Sequence, residues 1–357
     1  MRNKVVYILG AGFSAPLGIP VMDNFIFEAK DMCFSDSQDY SHFTNVFDRI
    51  ESMSKIKNAY RADLYNIEEV LSILEMDVFL DDSPKTTDDI QTFIKDVIKY
   101  YTPDFPDTPQ DLHSGWGEVM FTNERSLQRY GFFLGNLLNL KVTQQLNRNP
   151  EPEDLKISSE STGERYGAIS MNYDLVVEKV MNYLKRNFDL SDEINLSYSS
   201  RDRTEDKLNF PLAKLHGSVG GDLDIIPPTW NKSSAGEVLE TWELAKSLLE
   251  DANKIRILGY SLPDTDSYIN YLLKSSQLNN EHLKQIDVIC LDDGGVKARY
   301  DEFIHFKNYR FKDGNIVDYL DSVKNKTRNS RDSTSENYLL FDDLEQAHED
   351  FMQGEVV

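Results

Sequence analysis

The chain has 357 residues, enough to bury one large core, or a core with a sizeable insertion. Its 61 acidic and 38 basic residues give a formal net charge of −23 and a pI near 4.6, without the basic face that nucleic-acid binding calls for. Two distant cysteines, Cys33 and Cys290, exclude a four-cysteine zinc ribbon and a disulfide framework, and fit a reducing cytosol.

The first predicted element is a buried strand over residues 4–9, with the apolar run Val5-Val6-Tyr7-Ile8-Leu9. Arg2 and Lys4 ahead of it imitate a signal peptide, but the run is short and meets glycines and two prolines. No later stretch has the roughly 18 uninterrupted apolar residues of a membrane helix. A helix is expected over Asn24–Met32. From 35 to 150 the spacing turns helical, through Ile67, Val70, Leu71 and Leu74, then Phe93, Val97 and Ile98. A loop is expected over Pro103–Pro109, and a further helix over Ser126–Leu146 through Phe132, Phe133, Leu137, Leu138 and Leu140. This block reads as a mostly helical insertion.

After Pro150-Glu151-Pro152 strand signals return at Tyr166–Met171, Ala213–His216, Leu223–Ile226, Ile255–Tyr260 and Ile286–Leu291. Helical patterns over Val176–Leu184, Val238–Leu249 and Tyr268–Leu278 lie between several of them. Strands alternating with helices predict an α/β fold: a Rossmann-like parallel sheet covered on both faces, with ligands at the carboxyl ends of the strands. The expected division is 1–34 with 151–325 as the nucleotide-binding domain, 35–150 as the insertion, and 326–357 as an acidic tail. That tail, with Tyr338-Leu339-Leu340-Phe341 and a helical pattern to Met352, is either a linker with a docking helix or a helix packed on its own domain.

Four segments carry the chemistry. Gly10-Ala11-Gly12-Phe13-Ser14 follows the first strand. Glycine there lets the backbone turn sharply and pass close to a phosphate, with helix N–H groups facing the anion. Ser170-Met171-Asn172-Tyr173-Asp174, Lys214-Leu215-His216-Gly217-Ser218 and Leu258-Gly259-Tyr260-Ser261-Leu262-Pro263-Asp264-Thr265-Asp266 each leave a strand end. A dehydrogenase would want a third glycine where Ala15 stands, and an acidic residue ending a second strand about 20 residues on, where the pattern is helical. Asn172 and Asp174 have a plainer reading as caps of the following helix, and residues 261–266 as a turn and N-cap. Glu68 and Glu69 read as solvated or interface charges, and Trp230 and Trp242 as core or interface aromatics.

In this order the segments resemble the sirtuin-like NAD-binding superfamily, in particular bacterial sirtuin-like effectors of antiviral defence. The Gly-Ala-Gly-x-Ser-x3-Gly-Ile-Pro loop corresponds to Gly10–Pro20. The Thr-x-Asn-x-Asp type motif corresponds to Ser170, Asn172 and Asp174, and the His-Gly pair to His216 and Gly217. The run from Gly259, the helix around Trp242-Glu243-Leu244-Ala245 and the segment Asn66-Ile67-Glu68-Glu69 are similar to the defence branch rather than the deacylases. The cysteine quartet is missing, Val21-Met22 stands where deacylases have Asp-Phe-Arg, and Ser170-Met171 stands where they have Thr-Gln, which puts peptide deacylation in doubt.

The resemblance implies an NAD glycohydrolase that depletes NAD in abortive infection, with NAD as substrate and no metal. The oxocarbenium-like cleavage of the nicotinamide–ribose bond needs the sugar oriented, a nucleophile placed and one proton accepted. Asn172 would position ribose and water and His216 would act as general base. Asp174 would anchor ribose hydroxyls or orient Asn172. Gly10, Ala11, Gly12, Phe13, Ser14, Pro20 and Gly217 would line the dinucleotide, with Gly259, Tyr260, Ser261 and Leu262 bordering its adenosine half. The same resemblance implies a cytoplasmic homo-oligomer. With no obvious second effector or sensor domain, a separate partner such as a hexameric, DNA-translocating ATPase of the HerA type is expected, which the acidic tail could dock. The charge and the lack of a long apolar stretch argue against direct nucleic-acid and membrane contact. The alternatives are a module that binds NAD or ADP-ribose without turnover, and an enzyme that ADP-ribosylates or deacylates protein.

Overall fold

The computed structural model of the chain describes residues 3–35, 39–81, 84–106, 114–145, 149, 151, 154–159, 164–188, 194–199, 208–220, 225, 236–263, 266–331 and 336–354. The strand expected over 223–226 lies outside them apart from the buried Ile225, as do Trp230, Pro150, Pro152, Asp264 and Thr265.

In chain order the elements begin with β1 (Lys4–Leu9), the single turn α1 (Ala11–Ser14) and α2 (Phe25–Ser35). The largely helical stretch that follows holds α3 (Phe43–Ser52), α4 (Ile67–Asp81), α5 (Pro84–Tyr101), α6 (Trp116–Phe121) and α7 (Arg125–Leu137). Then come β2 (Leu140–Gln145), β3 (Leu155–Ser159), β4 (Arg165–Ser170), α8 (Val176–Asn187), β5 (Ile194–Ser197) and β6 (Leu208–Lys214). The remainder is α9 (Gly236–Glu250), β7 (Lys254–Leu258), α10 (Ser267–Ser276), β8 (Gln285–Cys290), α11 (Val296–Phe303), β9 (Tyr309–Asp313), α12 (Ile316–Lys326), β10 (Arg328–Arg331), β11 (Glu336–Leu340) and α13 (Leu344–Gln353).

Seven strands form one sheet in the order β5-β6-β4-β1-β7-β8-β9, every recorded pairing parallel. The fold is therefore an α/β, Rossmann-like doubly wound sheet. The alternation of β1 shows why both faces are covered. Val5, Tyr7 and Leu9 enter one apolar cluster with α2, α5, α7, α8 and α12, while Val6 and Ile8 enter the other with α9, α10 and α11. β1 lies between β4 and β7, where the strand order reverses and where such sheets open a crevice.

Two expectations change. The helix predicted over Ser126–Leu146 stops at Leu137, and Asn139 takes a left-handed φ of 49°. Asparagine tolerates that conformation, and it breaks the helical register, so the apolar run re-emerges as β2. β2 pairs antiparallel with β3 and β11 in a second sheet of order β10-β11-β2-β3, which joins the helical stretch to the tail. The tail itself is the self-packed alternative and not a free docking helix. Its acidic side chains turn inward: Glu345 meets Lys254 and Arg256, Glu349 meets Arg310, and Asp350 meets Lys326.

No helix among the described residues is long and apolar enough to cross a membrane.

Candidate functional site

Backbone bonds continue past the strand ends and set four loops side by side. Leu215 N donates to Ser170 O, Met171 N to Leu9 O, Gly10 N to Leu258 O and Gly259 N to Ile289 O, at 2.9–3.1 Å. The loops after β6, β4, β1 and β7 thus lie in sheet order along the carboxyl edge, where the sequence placed all four motifs.

The glycines are there first for this loop-on-loop contact. A Cβ on Gly10 would sit 2.4 Å from Tyr260 Cα, and one on Gly12 would sit 2.9 Å from Gly259 Cα and O. Gly259 has φ +62°, and its Cβ would meet Phe13 N at 2.4 Å. Gly12 N donates to Gly259 O at 2.8 Å, closing the contact. Gly259→Ala is therefore expected to destabilise the fold by roughly 2–5 kcal/mol, combining left-handed strain with overpacking. Chemical denaturation of the variant measures this, and a change below about 0.5 kcal/mol would contradict it.

Two clefts flank the β1 loop. The first, of about 80 Å³, is lined by Ala11, Ser14, Pro20, Asn172, Tyr173 and Asp174 from the sheet edge and by Ile67, Glu68, Ile94 and Ile98 from α4 and α5. The helical stretch supplies its far wall. Glu68 belongs to this wall, which helical spacing did not reveal. The second cleft is wider and is lined by Ala11, Gly12, Gly259, Tyr260, Ser261, Asp293, Gly294 and Arg299 among others.

Asn172 is pinned rather than free. Its Nδ2 donates to Gly10 O at 2.9 Å and to Ser14 Oγ at 3.1 Å. The donor half of the carboxamide is thus spent on holding the glycine loop, and Oδ1 remains for a ligand as an acceptor only. The Ser14 hydroxyl accepts this bond and keeps its proton to give. Asp174 Oδ1 accepts from Val176 N at 3.0 Å, so it caps the start of α8 while also lining the cleft. Beneath it, buried Lys214 Nζ donates to Asp174 O and stands 3.4 Å from Glu178 Oε1. Burial raises the Glu178 carboxyl above its ordinary range, against the pull of Lys214.

His216 is buried at 2% exposure and borders neither of these two clefts. Its link to the first runs through Tyr173, a lining residue whose ring centroid lies 5.9 Å from the imidazole. His216 Nε2 lies 3.4 Å from Asp266 Oδ2, and Nδ1 has no hydrogen-bond partner among the described residues. Trp242 Nε1 donates to Leu215 O at 3.1 Å, fixing the backbone beside the histidine. Gly217 turns the chain away from β6 at φ +72°, its N–H bonded to Lys214 O.

Two residues of the predicted ligand set turn inward. Phe13 packs edge-on against Tyr130 and is 1% exposed. Leu262 is 5% exposed in the α9–α11 cluster, at φ +52°. Their side chains are turned away from both clefts, and the Phe13 backbone is taken up by Gly10 O and Tyr130 Oη. Tyr260 and Ser261 border the second cleft. Sequence reasoning missed Arg299, the one cationic side chain among the described lining residues of either cleft, which donates to Ser261 O and Gly294 O. Among the described residues no group of three or more His, Cys, Asp or Glu side chains could hold a metal ion.

No protein-family model matches the sequence, and no curated protein matches it. Solved structures similar to this chain include Sir2 bound to an acetylated peptide, at 11% identity over 91% of this chain and 93% of that one, TM-score 0.41. A complex of Sir2, p53 peptide and NAD+ aligns at 12% identity over 91% and 93%, TM-score 0.39. Sir2 with the inhibitor EX-527, 2'-O-acetyl-ADP-ribose and deacetylated p53 peptide aligns at 11% over 91% and 94%, TM-score 0.39. Likenesses this distant add nothing to the parallel sheet already traced.

Proposed function

We propose that this chain is an NAD glycohydrolase, cleaving NAD to nicotinamide and ADP-ribose. The observation that carries the reading is the cleft at the reversal point of the sheet, in which the glycine loop, the Asn172 acceptor and the Asp174 carboxylate meet. In this reading Ala11 and Ser14 of the β1 loop face the pyrophosphate, with the Ser14 hydroxyl donating to it. Asp174 accepts from ribose hydroxyls, and Asn172 Oδ1 orients the attacking water. His216 takes the proton that this water loses as its oxygen bonds to the sugar carbon. Nicotinamide leaves neutral and needs no acid. Residues 1–34 and 151–325 would carry this chemistry, with 35–150 supplying a cleft wall and an interface.

The setting we infer is antiphage defence in the cytoplasm, as a homo-oligomer with a hexameric ATPase partner. The burial of His216 suits a hydrolase that is silent until assembly opens its site. The same burial, away from the cleft that Asn172 lines, also favours a second reading: a module that binds NAD or ADP-ribose without turnover. Incubating the purified oligomer with NAD, alone and with the candidate ATPase, and separating the products distinguishes them. Nicotinamide with free ADP-ribose is the expected result. Intact NAD with measurable binding under both conditions would favour the module, and ADP-ribose linked to protein would replace hydrolysis with transfer.

A further inference from the structure

We propose that Asp266 is the positioning residue for His216, holding the imidazole with its proton on Nε2 so that Nδ1 is the basic atom. This rests on the hydrolase reading for its catalytic meaning, but the arrangement is argued from geometry alone.

Asp266 stands at the N-cap of α10, where an aspartate normally accepts from the backbone amides of the first turn. It makes no such bond there. Its carboxylate turns inward at 3% exposure, where Oδ2 accepts from Tyr260 Oη at 3.0 Å and faces His216 Nε2 at 3.4 Å. A cap is worth about 1 kcal/mol, and the Asp266 side chain makes none, facing a buried imidazole instead.

Tyr260 fixes the other side of the arrangement. Burial, with the neighbouring Asp266, keeps its hydroxyl protonated well above the ordinary tyrosine range, so it acts as a donor to the carboxylate. Tyr300 Oη in turn donates to Tyr260 O at 2.8 Å, anchoring the tyrosine.

A carboxylate facing Nε2 favours the tautomer with its proton there, which leaves the lone pair on Nδ1. Nδ1 is the atom that is buried without a partner among the described residues. Buried polar atoms are seldom left so, and Nδ1 is thus the side of the ring open to accept a proton. The 3.4 Å separation is long for a hydrogen bond and is of the kind that tightens when substrate binds.

The test uses protein labelled with 15N only at histidine, in its native oligomer. His216 is identified among the six histidines by the signal lost in His216→Gln. Solid-state 15N spectra are expected to show His216 protonated on Nε2, and Asp266→Asn to abolish that preference. Asp266→Asn is also expected to lower kcat for NAD at least about tenfold with KM changed less than about threefold, as when a histidine loses the group that sets its tautomer. Asp266→Glu is expected to restore part of the loss. An Nδ1–H signal in the wild-type protein, a tautomer unchanged in Asp266→Asn, or full turnover in that variant would overturn the assignment. Should the wild-type oligomer fail to cleave NAD, the hydrolase reading falls, while an Nε2–H signal lost in Asp266→Asn still upholds the Asp266–His216 coupling.

Discussion

His216→Gln is expected to lower kcat for nicotinamide release by about 10²–10⁴-fold, the range for losing a positioned acid–base group, with little change in unfolding midpoint. Glutamine keeps much of the side-chain volume but cannot accept a proton near neutral pH. Asn172→Ala is expected to cause a comparable loss with a different signature. The asparagine holds Gly10 O and Ser14 Oγ as well as presenting Oδ1 to the cleft. Its removal frees the glycine loop, so NAD binding should weaken alongside kcat and stability should fall by about 1–2 kcal/mol. Product chromatography with chemical denaturation separates the two signatures. Robust turnover in both variants would end the proposed roles.

The second large effect concerns the tail. Arg256, 1% exposed on β7, donates to Tyr7 Oη at 2.7 Å and to Glu345 Oε2 at 2.8 Å, and Lys254 meets the same carboxylate. Beside this group His348 Nε2 lies 2.9 Å from Asp287 Oδ2 and its Nδ1 lies 3.1 Å from Tyr319 Oη, with Arg310 bridging Asp287 and Glu349. Glu345→Ala leaves a buried guanidinium without its carboxylate, and a loss of about 3–5 kcal/mol is expected in urea denaturation.

The same clasp makes stability depend on pH. Burial, with the Arg256 charge, pushes His348 down to about 4 against the pull of Asp287. Burial alone would raise Asp287, but its bonds to Arg310 and His348 outweigh that and hold it at about 2. With His348 neutral at pH 7, Arg310 is the charge that keeps Asp287 ionised. The imidazole is thus protonated more readily in the unfolded chain than in the folded one. Its contribution is complete above about pH 6.5 and is lost as pH falls through about 4, a total of about 3 kcal/mol. The Asp287 contribution, present above about pH 4, is lost on further acidification toward 2. A denaturation series from pH 7.5 to 4.5 should slope steeply for the wild-type protein and more gently for His348→Gln. Parallel curves would refute the assignment to this histidine.

The sheet's centre was legible because β1, β4, β7 and β8 are short apolar runs bounded by polar strand ends. β9 was not, since Tyr309–Asp313 is a half-exposed edge strand carrying Arg310, Lys312 and Asp313. β2 was hidden because Leu137, Leu138 and Leu140 continue the helical spacing of α7, and only the backbone of Asn139 breaks it. At the candidate site the sequence brought the four loops to one edge, but not the partners that sequence distance conceals. Glu178 beneath Asp174, Arg299 on the carboxyl side of Gly294, and Asp266 turned from its cap toward His216 are all contacts of the folded chain. Motif position also overstated Phe13 and Leu262, because a motif does not say which face of a loop a side chain takes.

The clasp on Arg256 has a consequence for the order of synthesis. Its carboxylate partner lies 89 residues further along the chain. A ribosome adding about 5–20 residues per second makes Glu345 roughly 4–18 s after Arg256. Through that interval the guanidinium lacks this carboxylate and has Tyr7 Oη as its partner on β1. The ion-pair group on β7 is therefore completed only when α13 is made and docks.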